Sequence, residues 1–202
     1  AADVYRLPFV DGLFDGATMI RTLHHMADPA LALAQVRAAL SDDAIFILEY
    51  ANKHNLKAIL RYFLKRQSWS PFNEEAVEFT RLNFDFHPRA IRRWLMDNQF
   101  TIERLLTVSH FRQEWLKKTV PTPLLAAIDS LFQPTGALFQ LTPSVFVRAR
   151  ADRTGHEHPK TGFFKCLKCG IDLPEGDGDL HCPHCHAIWK KWNGIYDFRM
   201  KS

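Results

Sequence analysis

The chain has 202 residues, of which 47% are hydrophobic and 24% are charged, and a formal net charge of +4. This composition excludes extensive disorder and fits one medium globular domain with a small appendage. The charge is too low to indicate nucleic-acid binding by itself. No run approaches 18 apolar residues, and no charged-then-apolar leader begins the chain, so we expect a cytoplasmic protein without a transmembrane segment.

The first fifty residues predict a strand, a helix and a second strand. Segment 14–20 is a short apolar run, and segment 44–50 is a stronger one, as in buried strands. Between them, Asp28 is suited to cap a helix and Pro29 to occupy its first position. Strand, helix, strand in this order indicates a crossover unit in a parallel sheet. We expect the apolar face of the helix to consist of Leu31, Ala34, Val36, Ala38 and Leu40.

The remaining elements of the first 150 residues alternate with two insertions. Segment 53–86 contains a basic amphipathic helix with Leu56, Ile59, Leu60, Phe63 and Leu64 on one face. The second insertion, 115–143, holds a helix near 123–132. A further helix and two strands are predicted at 88–98, 100–108 and 144–150. Residues 1–150 therefore read as the later part of an α/β sheet.

A polar segment, 151–159, follows and separates the sheet from a cysteine-containing region at 160–202. Two Cys-x-x-Cys turns with twelve residues between them supply Cys166, Cys169, Cys182 and Cys185. Four thiolates at this spacing favour a structural Zn²⁺ site, with a rubredoxin-like iron site or redox-active cysteine pairs as the alternatives. His181, His184 and His186 are expected at the surface. An Asn193-Gly194 turn between aromatic residues predicts a closing hairpin.

Three short motifs run through the first 30 residues: DVYRLPF at 3–9, FDGATMI at 14–20 and LHHMADP at 23–29. This series is similar to the second half of the class I S-adenosylmethionine (SAM) dependent methyltransferase domain (methyltransferase type 11), in the group that includes the quinone-biosynthesis methyltransferases. The resemblance covers residues 1–50 closely and 84–150 more loosely. It implies a partial Rossmann-like sheet without its first strands, and the cysteine region resembles the zinc ribbons that accompany several methyltransferases.

The resemblance also implies a cofactor site for SAM. Asp3 would accept a hydrogen bond from the adenine amino group, and the backbone N–H of Val4 would meet a ring nitrogen. Ile20, Arg21 and His25 would line the sulfonium end, because ligands of open α/β sheets bind at the carboxyl ends of the strands. His25 is open to two interpretations, a general base and a simple lining residue. No catalytic residue is identified by the sequence.

The Gly-rich turn that holds the methionyl part of SAM in this family has no counterpart here. We therefore expect that half of the domain upstream of Ala1, and little catalysis from a chain that begins there. The function expected of the complete domain is methyl transfer to an unidentified acceptor, most simply a small molecule, with segment 53–86 as a lid. The alternative is a non-catalytic module whose zinc ribbon binds RNA or a protein.

Overall fold

We describe a computed structural model of the chain, which covers residues 1–111, 118–154 and 162–200. The first part contains β1 (Phe14–Met19), a 3-10 turn (Leu23–His25), α1 (Pro29–Ala39), β2 (Leu40–Ala51), α2 (Leu56–Phe63), β3 (Val77–Thr80) and β4 (Asn83–Asp85). It continues with α3 (Pro88–Asp97), β5 (Phe100–Val108), α4 (Thr122–Phe132), a 3-10 turn (Gln133–Ala137) and β6 (Ser144–Ala151). The last part holds β7 (Leu180–His181), β8 (Ile188–Trp192) and β9 (Ile195–Asp197).

The main sheet has four strands in the order β1-β2-β6-β5, and β6 runs antiparallel to β2. Two smaller sheets contain β3-β4 and β7-β8-β9. The helices and strands predicted in the first 150 residues are confirmed to within a few residues, apart from the stretch 112–117, which lies outside the described residues. The mixed α/β class with a small C-terminal β region is likewise confirmed.

Contacts within the chain divide it into two units, which are described separately. The terminal unit comprises Ala1–Ala17, Ala30–Ala44 and Ala151–Ser202, and the central unit comprises Thr18–Pro29 and Ile45–Arg150. None of the described helices is long and apolar enough to cross a lipid bilayer.

In the central unit, alternate residues of β2 and β6 form the core. The pairs Phe46–Ala149, Leu48–Val147 and Tyr50–Val145 face each other across the two strands, and all six side chains are buried. Period-2 burial of this kind fixes the register, because a slip of one residue would turn the apolar set to the opposite face.

In the terminal unit, α1 buries a different face from the expected one. Ala32, Leu33, Val36 and Ala39 are buried, whereas Leu31 is 42% exposed. Together with buried Pro29, the residues Ala32, Leu33 and Val36 follow the i, i+3, i+4, i+7 pattern of one helix face, and Ala39 lies one turn further on. The residues expected on the buried face do not lie on one side of the helix. Of the four that belong to α1, namely Leu31, Ala34, Val36 and Ala38, Val36 is the one that is buried.

The segment predicted as a linker starts within ordered structure. Strand β6 ends at Ala151, and the Arg153 guanidinium then donates to Asp43 at 2.6 Å. The Thr154 N–H donates to Asp42 at 3.0 Å. Residues 155–161 lie outside the described residues, so the domain boundary at 151–159 stays a prediction.

Segment 53–86 is an insertion whose two ends lie next to each other, and we call it the excursion 53–86. Its two ends meet in a parallel bridge between Asn52 and Phe86. The Phe86 N–H donates to the Ala51 carbonyl at 2.8 Å, and the Lys53 N–H donates to the Phe86 carbonyl at 3.0 Å. The excursion leaves and rejoins the fold at the carboxyl end of β2, and it carries α2 and the β3-β4 hairpin.

Candidate functional site

The four cysteines converge on one point in the terminal unit. Their sulfur atoms all lie within 4.8 Å of one another, with 3.6 Å between Cys166 and Cys185 and 3.4 Å between Cys169 and Cys182. A tetrahedral Zn²⁺ with Zn–S bonds of about 2.3 Å places its sulfur ligands about 3.8 Å apart. The donor set and its spacing therefore fit a four-thiolate metal site.

The two Cys-x-x-Cys turns have the same backbone design. In the first, the Cys166 N–H donates to Ile171 O and its carbonyl accepts from the Gly170 N–H. In the second, the Cys182 N–H donates to Ala187 O and its carbonyl accepts from the His186 N–H. Gly170 and His186 both have a left-handed backbone, with φ of 80° and 56°. His186 thus holds the place of a turn glycine, and the metal-ligand cluster in the described part of the chain consists of cysteines alone.

Backbone hydrogen bonds favour a thiolate at Cys182, whereas burial and the neighbouring sulfur atoms raise the pKa of Cys169 and of Cys185. The Cys185 N–H points at the Cys182 sulfur from 3.5 Å, and this backbone hydrogen bond is the main reason that the pKa of the Cys182 thiol falls to about 6. Metal binding requires the deprotonated sulfur, so a turn that stabilises thiolate prepares the ligand.

A small core surrounds the cysteines. Its buried members besides Cys166 and Cys182 are Leu173, Leu180, Ala187, Trp189 and Phe198. Strands β8 and β9 close the structure through Asn193 and Gly194, with φ of 47° and 80°. Positive φ at both central residues is typical of the type I′ hairpin turn, so the predicted closing hairpin is confirmed.

The N-terminal segment 1–11 is bonded to the cysteine region within the same unit. The Lys165 N–H donates to Pro8 O at 2.7 Å, the Val10 N–H to Phe163 O at 3.3 Å, and the Phe198 N–H to Ala1 O at 2.8 Å. The Phe9 ring stacks on Phe164 with centroids 6.0 Å apart. Residues 1–11 therefore depend on the cysteine region for much of their order.

Asp3 and Val4, the predicted adenine contacts, lie in this segment. The Asp3 carboxylate is exposed, and its Oδ1 accepts from the Tyr5 N–H at 3.0 Å. The Asp3 carbonyl accepts from the Arg6 N–H at 3.0 Å, which closes a turn over residues 3–6. Val4 is half-buried.

Ile20, Arg21 and His25, the predicted contacts of the sulfonium end, follow β1 in the central unit. Ile20 is 48% exposed. Arg21 has φ of 53°, and its N–H donates to Glu49 Oε2 at 2.9 Å. His25 Nδ1 lies 2.9 Å from the Leu82 carbonyl, so it carries the proton and donates. The neutral ring then keeps a lone pair on Nε2, as a general base requires.

Glu49 is the residue of this region that sequence reasoning missed. Its side chain is buried and holds the turn after β1 through the Arg21 N–H. Its other oxygen accepts from the Ser144 hydroxyl at the start of β6. A signal was present, because Glu49 is the single charged residue in the apolar run 44–50.

A second buried polar group, Lys53, anchors the excursion 53–86. Lys53 is fully buried, and its ammonium donates to Asn73 Oδ1 at 2.5 Å and to Glu75 O at 2.6 Å. Burial lowers the pKa of Lys53. Burial also raises the pKa of nearby Asp85 to about 6, although Lys53 opposes that shift. The excursion is thus tied back to the end of β2 by a desolvated cation.

The chain is similar to known proteins in sequence and in fold. The family model described as a methyltransferase domain matches residues 5–105, half of the 202-residue chain. No curated protein matches it. A SAM-dependent methyltransferase of Thermotoga maritima is 17% identical with a TM-score of 0.51, over 74% of this chain and 61% of that protein.

Two further solved structures are similar. An S-adenosylmethionine dependent methyltransferase of Mesorhizobium loti is 19% identical with a TM-score of 0.45, over 73% of this chain and 67% of that one. A Burkholderia thailandensis 1,6-didemethyltoxoflavin-N1-methyltransferase with bound S-adenosylhomocysteine is 17% identical with a TM-score of 0.42, over 74% and 48%.

The chain thus spans about three fifths of the Thermotoga protein's length. At 17% identity this likeness concerns the fold, and it confirms the Rossmann-like sheet that the sequence predicts. The family itself is shown by the model that matches half of the chain, from Tyr5 to Leu105 within β5. The chain belongs to the methyltransferase domain family.

Proposed function

We propose that this chain is the later part of a SAM-dependent methyltransferase that acts on a small-molecule acceptor. The observation that carries the proposal is the family match over residues 5–105, which includes the ordered turn after β1 and its buried support, Glu49. Bound SAM would supply a methyl group on a positively charged sulfur. The chain's own residues then have to bind the cofactor, orient the acceptor in line and exclude water.

The proposed cofactor contacts are those that the family resemblance implies. Asp3 accepts from the adenine amino group and Val4 donates its N–H to a ring nitrogen. Exposure of the Asp3 carboxylate supports this role, because its side chain is open to solvent while its Oδ1 accepts from the Tyr5 N–H in the turn. Ile20, Arg21 and His25 line the sulfonium end. The bond from the Arg21 N–H to buried Glu49 supports a fixed turn at that place.

We assign the excursion 53–86 to acceptor recognition. Its ends close at the carboxyl end of β2, where ligands of open α/β sheets bind. Its hairpin contacts the turn after β1 through the bond between His25 and the Leu82 carbonyl. A lid that touches a cofactor-lining residue can couple acceptor entry to the reacting centre. No feature of residues 1–111, 118–154 and 162–200 favours the non-catalytic alternative.

We assign a structural Zn²⁺ to Cys166, Cys169, Cys182 and Cys185. The sulfur spacing and the paired turns support it, and four protein ligands leave no open position for catalysis. The ion's proposed role is to hold the cysteine region, and through it residues 1–11, in place.

The test of the activity is formation of S-adenosylhomocysteine by the full-length protein. Purified protein is incubated with SAM labelled in the methyl group and with fractionated cell extract, separated into small molecules, RNA and protein. We expect label transfer that depends on the small-molecule fraction. Transfer into the RNA or protein fraction would correct the acceptor class, and a folded, SAM-binding protein without transfer to any fraction would contradict the activity.

A further inference from the structure

Helix α2 turns its apolar face toward solvent. Leu56, Leu60 and Phe63 follow one another at i, i+4 and i+7, with Leu64 beside them, and they are 52%, 53%, 69% and 61% exposed. At about 100° per residue these four side chains form one stripe. Ala58, the buried residue of the helix, lies on the opposite side. The helix therefore packs through Ala58 and the half-buried Ile59, and it leaves its other large apolar residues exposed.

Two aromatic residues widen this stripe. Tyr62 and Phe72 are also exposed, and the Phe72 ring lies 5.8 Å from Tyr62 and 6.0 Å from Phe63 between centroids. We call these six residues the α2 patch: Leu56, Leu60, Tyr62, Phe63, Leu64 and Phe72. Contiguous exposed apolar surface of this kind marks an interaction site on a folded protein.

The charged residues along α2 and up to residue 73 are all basic, and the acidic Glu74 and Glu75 follow. Lys57, Arg61, Lys65 and Arg66 are all exposed, and residues 54–73 contain no Asp or Glu. Lys57 and Arg61 lie along one edge of the stripe, and Lys65 and Arg66 follow its end. An apolar stripe bordered by cations is the design of a helix that lies in a membrane interface.

We propose that the α2 patch docks on the surface of an anionic lipid bilayer, with the apolar side chains among the acyl chains and the four cations at the headgroups. Charge complementarity selects this occupant, since basic side chains near an anionic leaflet are attracted to it. A second copy of the chain is disfavoured, because a symmetric contact would bring like charges together. Leu56, Leu60 and Leu64 also offer no flat face on which a nucleic-acid base could stack, so acyl chains fit this side of the patch better.

This proposal does not depend on methyl transfer, and its test needs no substrate. The full-length protein is sedimented with sucrose-loaded vesicles of phosphatidylcholine, with and without about one third phosphatidylserine. We expect binding to the anionic vesicles, weak binding to the neutral ones, and a decline with added salt. Each basic residue near the surface is worth about fivefold in partitioning.

Paired variants separate the patch from general surface effects. Leu60→Glu with Phe63→Glu, and Lys57→Glu with Arg61→Glu, should each lower partitioning by at least about tenfold. The matched controls are Leu131→Glu with Leu138→Glu, at residues 78% and 83% exposed, and Arg92→Glu with Arg104→Glu, which are also exposed. Circular dichroism and thermal melting verify that every variant is folded.

The outcomes are decisive in both directions. Anionic-vesicle binding that both patch variants lose and both controls keep supports the proposal. Absence of vesicle binding in the folded wild-type protein overturns it, as does equal loss in patch and control variants. If light scattering instead shows a dimer that the Leu60→Glu, Phe63→Glu variant dissociates, without vesicle binding, the occupant is a second copy and the proposal is wrong.

Discussion

His87 has two roles at the start of α3 that respond differently to pH. Its Nδ1 accepts from the Arg89 N–H at 3.1 Å and so caps the helix, which requires the unprotonated nitrogen. The side chain is also buried, with the His54 ring 5.2 Å away. Burial first, and then the charges of His54 and Arg89, lower the pKa of His87 to about 4.

We predict that His87 makes the folded state less stable as the pH falls from about 6.5 to about 4. In this window the unfolded chain binds a proton at residue 87 and the folded chain does not. The free energy of unfolding therefore decreases as the pH decreases. His87→Asn keeps the cap and removes the titration. Relative to this variant, wild type should lose on the order of 2–3 kcal/mol between pH 7 and pH 4.

Urea titrations at several pH values measure this difference. The opposite contribution of Asp85, whose pKa is raised to about 6, is present in both proteins and cancels in the comparison. A constant difference between wild type and His87→Asn from pH 7 to pH 4 would show that His87 titrates normally.

At the same scale, sequence reading placed the ends of the strands but not the groups that support them. Ile20 and Arg21 were located from the apolar run 14–20, because Ile20 ends this run and Arg21 follows it. The partner of Arg21, Glu49, is 28 residues away, and no local pattern encodes which strand end meets which turn. The lone charge in an apolar run was the available hint, since a carboxylate is buried only where it is hydrogen-bonded.

At the scale of elements, periodicity predicted the strands well and the helix face poorly. Segment 100–108 was predicted as a strand and coincides with β5. In α1 every residue except Gln35 and Arg37 is apolar, so sequence alone does not distinguish the covered face from the open one. The phase of the helix, fixed by Pro29 at its start, decides which alanines are buried. In α2 the sequence pattern places Leu56, Leu60 and Phe63 on one apolar face, but this face is exposed to solvent and not packed in the core.

The excursion 53–86 provides a prediction for an element as a whole. Because Asn52 and Phe86 are bridged, a short Gly-Ser link can replace residues 54–85 without separating the strand ends. We expect the full-length protein with this replacement to bind SAM but to lose methyl transfer to its acceptor. Calorimetry with SAM and the labelled-methyl assay measure the two properties separately.

A fixed structural layer would behave differently. If the excursion were part of the core, the replacement would abolish folding and SAM binding together. The fully buried Lys53 is retained in the design, and Lys53→Met serves as the matched control for the loss of its bonds to Asn73 and Glu75. Loss of folding in the deletion with a well-folded Lys53→Met protein would contradict the lid.

At the scale of the whole molecule, the sequence predicted the cysteine region in detail but did not predict the hydrogen bonds that join this region to residues 1–11. Four cysteines at fixed spacing indicate their own geometry, because the metal's preference determines how they meet. The three backbone bonds that join residues 1–11 to residues 163–198 have no such signature. They join segments more than 150 residues apart through main-chain atoms, which every residue possesses.

This attachment gives a prediction for metal removal. The protein should contain one Zn²⁺ per chain, and a chelator should unfold residues 162–200, release residues 1–11 and weaken SAM binding, while β2, β5 and β6 stay protected. Hydrogen exchange followed by mass spectrometry reports each segment. Well under one equivalent of metal in protein purified under reducing conditions would refute the zinc assignment, and iron in its place would favour the rubredoxin-like alternative.

The measurement that tests the account most directly is calorimetric titration of the folded full-length protein with SAM, for wild type and Asp3→Ala. We predict one site in wild type and an affinity lower by about 1.5–3 kcal/mol in Asp3→Ala, the range for a lost hydrogen bond to a charged group. Asp152→Ala, which removes a carboxylate elsewhere in the terminal unit, should bind like wild type. An unchanged affinity in Asp3→Ala would remove Asp3 from the site, and a folded wild-type protein that binds neither SAM nor S-adenosylhomocysteine would contradict the proposed function itself.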